Sequence, residues 1–489
     1  MQLRQLIKSI KPLGSNPVAS DFEVRGISCN SKNVGRNFIF VAIKGNRQDG
    51  NTFIDEAMQR GARAVVAQSP NRSITRLPKE VSFIKVKDAR GALANLALGF
   101  YGDPSAKVKV LGITGTNGKT TIAYLVEALI KEAGFSSGVI GTINYRFKDK
   151  IIPSKNTTPG PVDLQSMLAE MKKNGIDYAV MEVSSHALDQ DRTLGINFSS
   201  AIFTNLTQDH LDYHKTLQRY FLAKAKLFKD LRPGSFAVLN NDDKYARKLK
   251  KMTRARIITY GIDNDSIVMA KDIRYSVNCT EFLLKAPGNQ MNFKTQLIGK
   301  HNVYNALSAI AWAIKEGIDI KAIKSAVENF SLVPGRLERV EFAGDFAVFV
   351  DYAHTEDALK NIIQALRHLA RNRIIVVFGC GGERDKTKRP KMGKVVTELA
   401  DYAIITSDNP RSEDPLEIIR DVKKGIRKKN YSVMPERREA IKKSLSLAEP
   451  GDIVLLAGKG HENYQILKDR TVRFDDKEIA VECLKSMNC

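Results

Sequence analysis

The sequence predicts an α/β protein of three domains, with a central, mainly parallel sheet carrying a variant phosphate loop and a C-terminal doubly wound, Rossmann-like domain. Three observations lead there. An apolar run, Val108 to Ile113, enters a glycine-rich turn and then a helical pattern from Ile122 to Ala133. Apolar segments of strand length alternate with helical patterns towards the end of the chain, as parallel sheets require. Turn-rich breaks at Gly102-Asp103-Pro104-Ser105 and at Pro334-Gly335 divide the chain into residues 1–104, 105–334 and 335–489.

The elements follow in order. The first block holds short strands, notably Phe38 to Ile43, and an alanine-containing helix near Ile54 to Arg60. The second block continues from the glycine-rich turn through the strand candidates Tyr178–Val183, Ala201–Leu206 and Phe236–Leu239. It closes with a helix, Val303 to Lys315, that Gly317 stops. The third block offers Phe346–Val350, Ile374–Phe378, Tyr402–Thr406 and Ile453–Leu456 as strands between helical patterns. No internal repeat or low-complexity stretch interrupts this order.

Composition narrows the class. With 43% apolar and 27% charged residues over 489 positions, the chain is globular rather than disordered. No apolar run reaches the ~20 residues of a membrane span, and Met1 to Leu13 lacks the continuous apolar stretch of a signal peptide. Cys29, Cys279, Cys380, Cys483 and Cys489 are scattered without a C-x-x-C pair, so neither a disulfide framework nor a zinc site is expected, and a reducing cytoplasm is the expected location. The net charge of +23 suits either a polyanionic partner or a lysine-rich solvated surface. No nucleic-acid-binding motif accompanies it, so no nucleic-acid partner is expected.

Chemistry collects where strands end. In Thr114-Gly115-Thr116-Asn117-Gly118-Lys119-Thr120-Thr121, backbone N–H groups and a helix N-terminus face an anion. Lys119 adds a point charge, and the Thr120 hydroxyl can reach Mg²⁺. The strict pattern G-x-x-x-x-G-K-[ST] fails, because the nearest glycine, Gly112, falls one residue early. Glu182-Val183-Ser184-Ser185-His186 follows one strand, and Asn205 to His214 follows the next, adding a carboxylate and imidazoles near the phosphates. His210 or His214 alone reads as a helix-start or surface residue; after a strand in a phosphate-loop domain, a ligand role gains weight. Lys224 lies in a helical pattern and reads locally as a solvated lysine. In the third block, Gly379 to Asp385 and Asp408-Asn409-Pro410-Arg411 follow adjacent strands, so Arg384 and Arg411 form a natural carboxylate clamp. Gly458-Lys459-Gly460-His461-Glu462 adds an anion-binding turn and an acceptor. Any one of these segments alone could be a plain turn.

This constellation resembles the Mur ligase family, and within it the MurE-type UDP-N-acetylmuramoyl-tripeptide synthetases, from about Asn30-Ser31-Lys32 to Asp475-Asp476. The Thr-Gly-Thr-Asn-Gly-Lys-Thr loop is shared by the wider family. Glu182 to His186, His301-Asn302-Val303-Tyr304-Asn305 and Asp351-Tyr352-Ala353-His354-Thr355 match the MurE pattern more specifically. Three positions depart from the usual residues: Asn30 replaces Asp, Glu383 replaces Asp, and Glu356 replaces Pro.

The resemblance implies roles. Ser31, Thr157, Thr158, Ser184, Gln190 and Arg192 would hold UDP-MurNAc-L-Ala-D-Glu. Gly115, Thr116, Asn117, Gly118, Lys119, Thr120 and Thr121 would hold ATP phosphates, with Asn302, Arg336 and Asp351 on the adenosine side. Mg²⁺ would be the cofactor, with Thr120, Glu182 and His210 as ligands and a carbamate on Lys224 as ligand to a second metal; Lys119, Glu182, His210 and Lys224 form the implied catalytic set. Arg384, Asp408, Asn409, Pro410, Arg411, Gly458 and Glu462 would receive meso-diaminopimelate, because Asp-Asn-Pro-Arg resembles the diaminopimelate-adding enzymes. The implied reaction is ATP-dependent amide formation at the D-Glu γ-carboxylate through an acyl phosphate, in cytoplasmic peptidoglycan precursor synthesis. The implied enzyme is a monomer acting on small molecules, without membrane insertion. Alternatives are an L-lysine-adding synthetase, another Mur ligase, and a nucleotide-binding regulatory module on the same fold.

Overall fold

The computed structural model describes residues 1–13, 19–45, 48–68, 78–276 and 279–487. The chain divides into two compact units that do not follow chain order: Met1–Gly112 with Phe135–Ala201 and Lys226–Ser235, and Ile113–Gly134 with Ile202–Ala225 and Phe236–Cys489. Among the described residues no helix is long and apolar enough to cross a membrane.

The first unit opens on four parallel strands, Gly26–Ser28, Phe38–Ala42, Ala62–Ala67 and Ser82–Lys85, paired in that order. Alternation along them sends Ile39, Val41, Ala64 and Val66 into one core with Leu93 and Leu96 of the helix Ala89–Tyr101. That helix starts sharply because the Asp88 carboxylate accepts the Arg90 and Gly91 N–H groups, a cap worth about 1 kcal/mol. It ends at Gly102, whose φ of +68° suits a residue without Cβ. Later in the unit, Ser137–Ile140 pairs parallel with Tyr178–Glu182. It also pairs antiparallel with Asn144–Phe147, which pairs antiparallel with Lys150–Pro153.

In the second unit the strand Phe236–Asn240 pairs parallel with Arg256–Gly261, which pairs parallel with Val268–Tyr275. Two antiparallel strands, Thr280–Ala286 and Asn289–Thr295, extend this sheet. The helix Lys300–Glu316 buries Trp312 completely and stops at Gly317, as its sequence signals anticipate. The C-terminal sheet runs Glu338–Val340, Ala347–Asp351, Ile453–Ala457, Ile374–Phe378, Tyr402–Ile405, Tyr431–Val433, parallel after the first, antiparallel pair. Both faces are buried, which explains the unbroken apolar runs. Ile374, Val376 and Phe378 enter one core with Leu359, Met392 and Val422, while Ile375 and Val377 enter the other with Ile441, Leu445 and Leu484. Parallel pairing brings the C-terminal ends of these strands to one edge, where Gly379, Asp408 and Gly458 begin their loops.

Two expectations shift. The strand expected at Ala201–Leu206 forms instead over Phe198–Phe203, because the polar pair Ser199-Ser200 joins the ladder and Thr204-Asn205 leaves it for the loop. The antiparallel strands Thr280–Ala286 and Asn289–Thr295 were not anticipated, although burial alternates along both, with Thr280, Phe282, Leu284, Phe293 and Thr295 inward. Cys29, Cys279, Cys380 and Cys483 are free thiols, and Cys489 lies outside the described residues.

Candidate active site

The phosphate loop follows the strand Lys109–Thr114 and enters the helix Lys119–Glu132. Its shape is set by the next loop: the Thr116 N–H donates to the Asn205 carbonyl at 2.9 Å, and the Asn117 N–H to Asn205 Oδ1 at 3.0 Å. The Asn117 amide reaches Asp357 Oδ2 at 2.9 Å, and Arg336 Nη2 donates to the Thr120 hydroxyl at 3.1 Å. Residues of the third block therefore close over the loop. Thr120 and Thr121 are buried.

Gly118 takes φ +89°, and a Cβ there would collide with Asn305 Oδ1. Asn305 in turn donates to Asn302 Oδ1 at 2.9 Å, so Asn302 braces the loop from the helix behind it. Substituting Gly118 by Ala adds about 1–2 kcal/mol of left-handed backbone strain on top of that collision. ATP affinity should fall about tenfold or more. Nucleotide titration checks it, and unchanged affinity would show that the glycine is dispensable.

Lys119 folds back on its own loop, Nζ donating to the Gly115 and Thr116 carbonyls at 2.9 and 2.7 Å. Lys224 Nζ donates to the same Gly115 carbonyl at 2.8 Å. Lys224 is only 2% exposed, so the solvated reading of this helical lysine is overturned. Burial, and then the Lys119 charge, holds its amine well below the ordinary lysine range. A buried amine held low gives up its proton more readily, and so is a better nucleophile, than a surface lysine.

Beside it stands a group that sequence reasoning passed over. Asp209 lies 3.3 Å from His210 Nε2 and 3.8 Å from Lys388 Nζ. Burial works against its charge, but His210, Lys388 and His354 overcome it and keep the carboxylate ionised. His210 itself takes φ +55° at the start of a short helix, as its Asp-His-Leu-Asp context permits. The Lys388 side chain, 8% exposed, has no signal in its local sequence. Its neighbour Arg389 is not a ligand candidate: it pairs with Glu413 at 3.0 Å and Asp421 at 3.1 Å.

In the third block, Asp351 accepts the Leu337 and Ala353 N–H groups at 2.6 Å each, fixing the turns around Arg336 and Tyr352. Burial pushes its carboxyl up to about 6 against the pull of Arg336. The Arg336 guanidinium lies over the Tyr352 ring at 4.6 Å, and its buried Nε carries no hydrogen bond. An anionic ligand would satisfy that donor.

The first unit holds the remaining expected residues. Glu182, 1% exposed, accepts the Thr142 N–H and hydroxyl at 2.9 Å each. Thr142 contacts Thr157 at 3.1 Å, and Thr158 donates to the Glu182 carbonyl at 2.8 Å. The Ser184 N–H bonds Thr158 at 2.9 Å, while Arg192 reaches the Thr158 carbonyl at 2.8 Å and Gln190 Oε1 at 2.7 Å. Thr157, Thr158, Ser184, Gln190 and Arg192 thus form one cluster around Glu182. Ser31 is buried elsewhere in the unit and donates to Glu56 at 2.7 Å.

The strand-end loops of the C-terminal sheet gather the last set. Arg411 Nη1 donates to the Gly382 carbonyl at 2.7 Å and the Asn409 carbonyl at 3.3 Å. Arg384 lies close by: a Cβ on Gly381 would come within 3.0 Å of Arg411 and 3.7 Å of Arg384. Burial and then Arg384 push the Arg411 guanidinium below its ordinary range. Two like charges held together are a site arranged for an anion. Pro410 presses its carbonyl against Gly382, and Gly458 at φ +116° leaves room for Asp408. Asn409 Nδ2 donates to Glu462 Oε2 at 2.8 Å.

Comparison with known proteins accounts for nearly the whole chain. Residues 23–101 match "Mur ligase family, catalytic domain", 113–313 match "Mur ligase middle domain", and 335–460 match "Mur ligase, glutamate ligase domain". A UDP-N-acetylmuramoyl-L-alanyl-D-glutamate--2,6-diaminopimelate ligase of Clostridium tetani is 42% identical over 491 residues, covering 100% of both chains. A solved structure of an enzyme of that same description aligns at 33% identity with a TM-score of 0.67, covering 95% of this chain and 96% of the other. The Thermotoga maritima MurF ligase, crystallised with ADP, shares the fold at 20% identity and a TM-score of 0.63, over 96% of this chain and 99% of its own.

Proposed function

The chain belongs to the Mur ligase family, and from that premise we propose that it joins meso-2,6-diaminopimelate to the D-Glu γ-carboxylate of UDP-MurNAc-L-Ala-D-Glu at the expense of ATP. The observation that carries this reading is the Arg384 and Arg411 pair beside Asn409 and Glu462, in the compact unit that also holds the phosphate loop. A diamino diacid offers a distal carboxylate for the arginines and a distal ammonium for Glu462. Lysine offers only the ammonium.

The chemistry follows from the charges. A carboxylate is a poor electrophile, so its oxygen attacks the ATP γ-phosphorus, the bond to the bridging oxygen breaks, and ADP leaves. The amine then attacks the acyl carbon of the mixed anhydride, loses a proton, and expels phosphate as the amide forms. Lys119 and the loop N–H groups hold the phosphates, and Arg336 adds a cation beside Thr120. Within the unit that holds the phosphate loop, Thr120 offers a hydroxyl oxygen and His210 an imidazole to Mg²⁺, while among the described residues no group of three or more His, Cys, Asp or Glu gathers to hold a metal. The buried Lys224 amine, held well below the ordinary lysine range, suits reaction with CO₂, which gives a carbamate and a proton and so another oxygen ligand. Mg²⁺, when bound, would neutralise charge on the transferring phosphoryl group.

The Thr157–Arg192 cluster is assigned to the UDP-linked dipeptide, with Ser31 on its uridine side. We assign the domains as 1–104 for that substrate, 105–334 for ATP and 335–489 for the amino acid. The enzyme is proposed to work as a cytoplasmic monomer.

Phosphate release from ATP by the purified chain, with UDP-MurNAc-L-Ala-D-Glu and either amino acid, tests the proposal. Release with meso-diaminopimelate but not L-lysine is expected. Equal rates would remove the role given to Arg411, and no release with any amine would favour a non-enzymatic nucleotide-binding module.

A further inference from the structure

The turn Gly458-Lys459-Gly460-His461-Glu462 reads in sequence as an anion-binding turn, which would leave its lysine pointing to solvent or ligand. Instead Lys459 is 0% exposed. Its Nζ lies 3.3 Å from Asn409 Oδ1 and 3.3 Å from Glu462 Oε2. The arrangement is closed: Asn409 Oδ1 also accepts the Ile466 N–H at 2.9 Å, and Asn409 Nδ2 donates to the same Glu462 oxygen at 2.8 Å. Swapping the amide ends of Asn409 would break all three contacts, so its orientation is determined.

Charge makes the lysine necessary. Glu462 and Asp408 are neighbouring buried carboxylates, and burial first, then Asp408, pushes the Glu462 carboxyl upward. Lys459 opposes that rise and, with Arg437, holds Asp408 ionised against its own burial. Arg437 is committed elsewhere. It is 1% exposed, forks onto Asp476 at 2.8 and 2.5 Å, and donates to the Ala457 carbonyl at 3.0 Å. The other groups facing Glu462 are Tyr352, whose hydroxyl is 3.4 Å away, and Tyr464, with Arg384 and Arg411 across the pocket. Lys459 is thus the cation in contact with the acceptor.

We infer that Lys459 is a positioning residue for the amino-acid substrate: acting through Asn409 and Glu462, it fixes and keeps ionised the carboxylate that receives the distal ammonium of the incoming diamino acid. This rests on the proposed function above. Without Lys459, the donors left in contact with Glu462 would be the neutral Asn409 amide and Tyr352 hydroxyl, and beside Asp408 it would take up a proton more readily and attract an ammonium less.

The test compares wild type, Lys459→Met and Lys459→Arg in the phosphate-release assay, varying diaminopimelate across pH at saturating ATP and UDP-linked dipeptide. Lys459→Met should raise KM for diaminopimelate on the order of 10–100-fold, the scale of one charge-assisted hydrogen bond. KM for ATP should stay unchanged. The acid limb of kcat/KM for diaminopimelate should move to higher pH, since a carboxylate deprived of its cation ionises later, and Lys459→Arg should restore it. Lys459→Gln gives the same contrast if the methionine variant does not fold. An unchanged limb and KM, or an equal rise in the ATP KM, overturns the inference while the proposed function stands. A wild type inactive with diaminopimelate removes both.

Discussion

Lys224→Ala should lose phosphate release by at least the order of 10²-fold, the cost of removing one preorganised electrostatic group from a phosphoryl-transfer site. It should regain part of that loss when formate or acetate is added. The lysine is buried, its amine held below the ordinary range by burial and then by Lys119, and bonded to the Gly115 carbonyl. An ammonium there would repel the charge of Lys119. A carbamate reverses the sign and supplies oxygen ligands, so a small carboxylate diffusing into the alanine cavity replaces the missing group. Gly115 still accepts from Lys119 in the variant, so the loop keeps its shape and the ATP KM should change little. Activity rates with and without added carboxylate decide the matter. Full activity without rescue would show that the amine only braces the loop. Carbon-13 NMR of the wild type under labelled bicarbonate should show a lysine carbamate signal that the variant lacks.

What could be read from sequence depended on whether local spacing or tertiary contact creates the feature. The phosphate loop is local: strand, glycine turn, lysine and helix lie within a few residues, and the structure keeps them as read. Arg384, Asp408 and Arg411 were legible because parallel strands must deliver their following residues to one edge. Lys224 was not. It shares its helix with Lys226 and Lys229, and only the fold decides that one of them faces the loop. Asp209 and Lys388 are 179 positions apart and meet only because the third block folds onto the second. The Arg437–Asp476 pair and the burial of Lys459 have no local signal at all, since a charged residue in a turn or helix reads as solvated. The strand Lys150–Pro153 escaped for the opposite reason: all four of its residues are exposed, so no apolar pattern marks it.

Arg411→Ala should lower kcat/KM for diaminopimelate by roughly 30- to 5,000-fold, corresponding to ~2–5 kcal/mol for truncating one partner of a buried charge pair. Nη1 already spends its hydrogens on the Gly382 and Asn409 carbonyls, which fix the guanidinium, and a bidentate carboxylate needs only the Nε and Nη2 edge. Burial and then the like charge of Arg384 depress Arg411, and a bound carboxylate would offset that repulsion. One effect of the alanine variant must be separated from this: the Gly382 and Asn409 carbonyls lose their donor, whereas the left-handed φ of +56° is the same cost for arginine and alanine. Arg411→Lys controls for charge without the fork, and should recover only part of the loss because an ammonium cannot hold both carbonyls and a bidentate carboxylate. The ATP KM is the decisive companion measurement. The phosphate loop contacts the third block through Arg336 and Asp357, not through Arg411, so nucleotide affinity should remain nearly unchanged. A parallel loss of ATP binding would refute the assignment of this pocket to the amino acid. Any residual turnover with L-lysine should be no worse in the variant than in wild type, since lysine has no distal carboxylate to lose.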